Sequence, residues 1–167
     1  MKNFFSGILV GWILIIVSGF LFIWGGGMPV STSSPPLPFE KFLAKTALHA
    51  AFRGAENLRS PIEATDANIL AGAKLYKSDC SFCHGLPDTE KTVPSVTFFP
   101  PAPQLYHHGV DDDPIGETYL KVKNGIRLSA MPGFTGVYTE EQLWQVSLLL
   151  SKGTHLPEAS KQELLKK

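Results

Sequence analysis

From Phe4 to Trp24 the chain reads FFSGILVGWILIIVSGFLFIW without one charged residue, and no other stretch restricts the fold as strongly. As a helix rising about 1.5 Å per residue, some 20 residues span about 30 Å, the thickness of a hydrocarbon core. A cleavable export signal is the competing reading, since Gly25 to Gly27 place small residues just after the run. The apolar cores of such signals are only about 7 to 15 residues long. Residues 1–27 are therefore expected to remain as a single-pass anchor in the cytoplasmic membrane. Lys2 and the amino terminus supply the nearby positive charge that keeps this end cytoplasmic, and Trp24 suits the far interface. Everything after the span is then exported to the periplasm.

Residues 28–38 are rich in Gly, Ser and Pro with nothing to bury, so they read as an extended linker. The 15 basic and 15 acidic residues cancel, which gives no footing for nucleic acid. Residues 39–64 comprise a helix, expected over 39–55, and a connector. In that helix Lys41, Lys45, His49 and Arg53 recur every fourth position as one slanted basic stripe. The stripe fits a helix packed on the soluble domain with its charges in water, or an amphipathic helix on an anionic membrane surface.

Periodicity and end signals place three more helices in an all-α soluble part. One runs from Thr65 as N-cap to Asp79, with Ile69, Gly72, Ala73 and Tyr76 on its buried face. Another runs from Pro114 to a Gly125 cap, and the last from Thr139 to Gly153. Residues 86–113 show little periodicity and read as a long loop, of the kind that usually carries function. Asp111, Asp112 and Asp113 read as a solvated run before Pro114. The domain is expected to cover 65–158, leaving 159–167 as a charged tail.

Both cysteines of the chain, Cys80 and Cys83, stand three apart with His84 directly after them. A zinc site wants four ligands, and three are offered here, two of them adjacent. A redox dithiol belongs to a βαβ pattern that the sequence lacks. The C-x-x-C-H spacing is also the signature of covalent haem attachment, in which two cysteines form thioethers and the histidine lies beneath the iron. An exported compartment, where a spare thiol invites wrong disulfides, accounts for the lack of further cysteines.

Over residues 66–153 the sequence resembles the class I monohaem cytochromes c. Gly72, Tyr76 and Cys80 repeat that family's glycine, aromatic and first-cysteine spacing, and Trp144 looks like the aromatic at the crossing of the terminal helices. PAPQL resembles the segment whose proline carbonyl accepts a bond from the proximal histidine. NGIRLSAMPGF resembles the distal segment. The resemblance implies a class I cytochrome c fold behind an N-terminal transmembrane helix and one haem c, covalent through Cys80 and Cys83. His84 and Met131 would be its axial metal ligands. Pro103 would supply the carbonyl and Leu105 would pack on the haem.

Of three methionines, Met1 starts the chain and Met28 lies in the linker, whereas Met131 precedes a rigid Pro132–Gly133 turn. His107 and His108 are its rivals as sixth ligand. Arg127 either pairs with a haem propionate or is an exposed charge. A saturated iron has no open position for substrate, so the expectation is an electron carrier and not an enzyme, working between redox protein partners of unknown identity. The alternative is a haem c subunit of a multi-subunit respiratory dehydrogenase or terminal oxidase, and a haem-based gas or redox sensor is the third reading. Between Asp66 and Glu158 there are 11 acidic and 7 basic residues, so the domain itself is acidic.

Overall fold

A computed structural model describes residues 2–108 and 113–166, without the side chains of Lys2 and His108. His108 as a rival ligand and Asp111 and Asp112 of the acidic run thus lie outside the described residues. Secondary structure among the described residues is entirely helical, apart from one isolated bridge between Thr135 and Tyr138.

Two compact units divide between Phe42 and Leu43. The first contains α1, Lys2–Trp24, which is long and apolar enough to cross a membrane. Its C-terminus unwinds at the glycines, where Gly25 N–H bonds Leu21 O and Gly27 N–H bonds Phe22 O, both at 2.8 Å. Prolines and serines then carry the chain to α2, Glu40–Ala51, where the Glu40 carboxylate accepts from the N–H of Leu37. The helix is shorter than the expected 39–55, because Gly54, at φ 90°, turns the chain into a single 3-10 turn at Ala55–Asn57.

The second unit is built on α3, Asp66–Asp79, and α8, Glu140–Leu150. Thr65 caps α3 by accepting from Asn68 N–H, and the buried residues of α3 are Ile69, Gly72, Ala73 and Tyr76. This is the face that the spacing predicts. Thr139 and Gln142 cap α8 reciprocally, and every residue from Leu143 to Leu150 is buried. The two helices cross at Gly72, where a Cβ would stand 2.7 Å from the carbonyl carbon of Gln145. Only glycine allows backbones that close.

The atoms nearest Gly72 belong to Gln145 and Leu149, not to Trp144. It stacks on Tyr119 of α7, Ile115–Asn124, with ring centroids 4.0 Å apart and planes within 7°. Pro114 stands at the N-cap of α7 and Gly125, at φ 69°, closes it. Before α7 come three short helices: α4, Ser81–His84, and then, inside the expected loop, α5, Val93–Thr97, and α6, Leu105–His108.

The charged tail is a structured element. Residues Glu158–Leu165 form α9, whose Leu164 and Ser160 are fully buried. Lys77 of α3 donates to the carbonyls of Glu163 and Lys166 at 2.7 and 2.6 Å, capping α9 where its dipole is negative. The domain thus runs past 158, because α3 offers both an apolar groove and a cation to a helix with few apolar residues of its own.

Candidate functional site

The last turn of α3 delivers Cys80, whose N–H still reaches Tyr76 O at 2.9 Å. In α4 the N–H groups of Cys83 and His84 both return to Cys80 O, at 3.1 and 2.9 Å, which winds the three side chains into one tight turn. Gly85 leaves that turn at φ 74°. A Cβ there would also stand 2.5 Å from Gln104 Oε1.

His84 Nδ1 lies 2.8 Å from Pro103 O. A carbonyl only accepts, so Nδ1 carries the proton and the lone pair is on Nε2. Burial lowers the His84 pKa, with the Pro103 bond pulling the other way. The ring is therefore a neutral imidazole with one free donor atom, the form that ligates metals.

Pro103 is held in place by its neighbours. Gln104 Nε2 donates to Cys83 O and to Thr92 Oγ1, at 3.1 and 3.2 Å, while the Thr92 hydroxyl donates to Cys83 O at 2.7 Å. Thr92 in turn caps α5 through reciprocal bonds with Ser95. The ring is therefore positioned by a loop that is itself bonded back to the cysteine turn. On the other flank, Tyr76 donates to Gly85 O at 2.8 Å and meets Tyr106 edge-on.

Cys80, Cys83, His84, Pro103, Leu105 and Met131 all line one cavity of about 530 Å³, within the roughly 300–1,000 Å³ usual for cofactor and small-molecule sites. Its walls are mostly apolar and include Val122 of α7 and Leu150 of α8. Arg127 does not join them: it is exposed and outside the lining. His107 also stands outside, its Nε2 donating to Thr89 O at 2.8 Å.

Met131 reaches the cavity on a turn attached to the end of α7. Phe134 and Thr135 donate backbone bonds to Val122 O and Lys123 O, both at 3.1 Å, and Ile126 donates to Met131 O at 3.1 Å. Gly125 and Gly133 make this possible, since a Cβ on Gly125 would stand 2.5 Å from Gly133 N. Ser129 accepts from Met131 N–H and donates to Ile126 O, bracing the approach.

The Cys80 thiol lacks the character of an attacking cysteine. Burial, then the charge of Asp79, then Cys83 push the Cys80 thiol up to about 12, whereas a reactive dithiol lowers the pKa of its attacking sulfur. Among the described residues, no three His, Cys, Asp or Glu side chains converge to hold a bare metal ion. What the lining offers is two thiols, one imidazole nitrogen and the Met131 sulfur around a mostly apolar cavity.

Sequence reasoning missed several contributors. Lys45 and Leu48 of α2 line the cavity from outside the span of the resemblance, and Phe98 lines it from the supposed loop. The Thr92-x-x-Ser95 spacing with Pro94 at the start of α5 was the signal for the last.

Residues 67–148 match the family described as cytochrome C oxidase, cbb3-type, subunit III. No curated protein and no solved structure matches the chain.

Proposed function

The chain carries a class I monohaem c-type cytochrome domain with covalently bound haem c, and on that footing we propose a membrane-anchored electron carrier with His84 and Met131 as axial ligands. The haem supplies a one-electron ferric–ferrous couple. The chain's part is to hold it and keep water away. Cys80 and Cys83, free and three residues apart, provide the two thioether sulfurs. His84 offers Nε2, fixed in tautomer and orientation by its bond to Pro103 O. Met131 offers a thioether, a soft donor that favours the ferrous state and a high potential. Leu105, Val122 and Leu150 supply apolar wall.

One observation carries the assignment: the cysteine turn and Met131, some fifty residues apart, line a single mostly apolar cavity. With both axial positions filled by the chain, no open site remains for a substrate, which supports a carrier and not a catalyst. Insertion of α1 in the cytoplasmic membrane, with the haem domain in the periplasm, completes the reading.

The test is optical and magnetic. Ferric wild-type protein is expected to be low-spin with the weak long-wavelength sulfur-to-iron band. Met131→His should abolish that band with the haem still attached. Absence of the band in wild type, together with an unchanged spectrum in Met131→Ala, would refute the ligand assignment.

A second reading is favoured by the family description, which names a subunit of an oxidase. In it the chain passes electrons within a larger respiratory complex. Gentle solubilisation separates the two, since a subunit retains its haem in a complex of fixed stoichiometry and a free carrier elutes alone.

A further inference from the structure

The helix before the cytochrome domain lies outside the family match, yet two of its residues reach the cavity. Lys45 and Leu48 stand one turn apart on α2 and both line it. Lys41, the preceding member of the basic stripe, does not. The chain after α2 is secured to the domain at a close approach. Ala55 is buried, and a Cβ on Gly116 of α7 would stand 2.6 Å from Leu58 Cβ.

Haem brings two carboxylates that are ionised at neutral pH. An ionised carboxylate at the edge of an apolar cavity needs a charged or hydrogen-bonding partner. Three groups lining the cavity matter to that need. Asp79 has the wrong sign and already accepts from the Tyr138 hydroxyl. Lys121 is engaged by Asp113 at 3.0 Å and Glu117 at 2.8 Å. Lys45 has no carboxylate within ion-pair distance among the described residues. Arg127, the cation suggested by sequence, is outside the lining.

Resting on the haem reading above, we propose that Lys45 is the counter-charge for a haem carboxylate and that Leu48 covers the macrocycle beside it. On this view α2 is a wall of the haem site, and its stripe of cations is divided between one that faces the cofactor and others that face solvent.

A cation beside the carboxylate offsets negative charge that would otherwise stabilise ferric iron. Its removal must therefore favour the oxidised form. The experiment is a spectroscopic redox titration of the full chain in detergent, with covalent haem confirmed on the denatured protein. Lys45→Gln should shift the ferrous-to-ferric ratio at fixed ambient potential by about three- to tenfold toward ferric, tenfold being about 59 mV for one electron. Lys45→Arg should restore the wild-type midpoint, while Lys41→Gln, an equal change of charge one turn away, should leave it in place.

An unmoved midpoint in Lys45→Gln overturns the proposal alone, as does an equal shift in Lys41→Gln. Denatured wild-type chain without bound haem overturns the cofactor reading, and this proposal with it.

Discussion

Replacing Gly72 with alanine sets two effects against each other. Alanine is the better helix former by about 1 kcal/mol, so propensity alone makes Gly72→Ala stabilising. Packing acts the other way. The new Cβ would stand 2.7 Å from the carbonyl carbon of Gln145 and 3.2 Å from Leu149 Cβ, with the Gln145 oxygen closer still. Ordinary contact begins at 3.4 Å, so α3 and α8 must part by at least about 0.7 Å. The atoms in the way are mainly backbone of a helix whose residues are buried from Leu143 onward, and cannot rotate aside. A gap of about 0.5–1 Å forfeits a quarter to a half of each dispersion contact along the seam, and overpacking of this kind costs about 1–3 kcal/mol. With the seam formed by Ile69, Ala73, Tyr76, Val146 and Leu149, all essentially inaccessible, we take the upper end. Against the propensity gain the net is about 2 kcal/mol of destabilisation, or about 4–8 °C for a chain of this size. Thermal unfolding followed by circular dichroism at the haem band reads the result. A midpoint equal to or above wild type would refute the crossing argument, since the two effects predict opposite signs.

Two further outcomes are expected. Burial pushes the phenols of Tyr76 and Tyr106 well above their usual range, so the folded chain keeps protons that the unfolded chain releases. Stability is thus present below about pH 10 and lost above it. Because the Tyr106 hydroxyl is buried without a hydrogen-bond partner among the described residues, Tyr106→Phe should leave urea midpoints at neutral pH unchanged or slightly raised. The same variant should lessen the alkaline fall, and an alkaline slope identical to wild type would remove Tyr106 from the account. Residues 66–158 hold an acidic excess that the cations of residues 43–65 and 159–167 nearly cancel over 43–167, so the anchor-free domain is expected to show a small preference for reduction by basic over acidic redox proteins. The preference should fade as screening shortens to about 8 Å near 0.15 M salt, and stopped-flow rates without any charge preference would contradict it.

Much of the helical frame is legible because its signals are local. Thr65 and Thr139 are N-caps, Gly125 is a C-terminal stop, and the face of α3 follows from its spacing. The cysteine turn is legible for the same reason, being five consecutive residues. What escaped depends on partners distant in sequence. Nothing within Glu158–Leu165 indicates that Lys77, some ninety residues earlier, will satisfy its last carbonyls. Short α5 has too few residues for a period, so its capping pair is its one local signal, and the bond from Thr92 to Cys83 O that ties it to the site depends on the fold. Arg127 and Lys45 are alike as sequence, since each is a cation near apolar residues. Both side chains are exposed, and only the path of the backbone after α7 and along α2 decides that Lys45 also lines the cavity while Arg127 does not.

The turn that presents Met131 owes its place to α7. Its carbonyls and amides are matched with those of Val122, Lys123 and Ile126, and the Gly125–Gly133 contact closes it. If Met131 is the ligand proposed above, a sulfur carried on such a turn would need little rearrangement to serve the iron in both oxidation states. Little nuclear motion would then accompany each electron, which would keep the reorganisation energy of the couple low. The rate of transfer would be left to distance and driving force, and the Gly125–Gly133 contact would become a determinant of how fast the protein exchanges electrons.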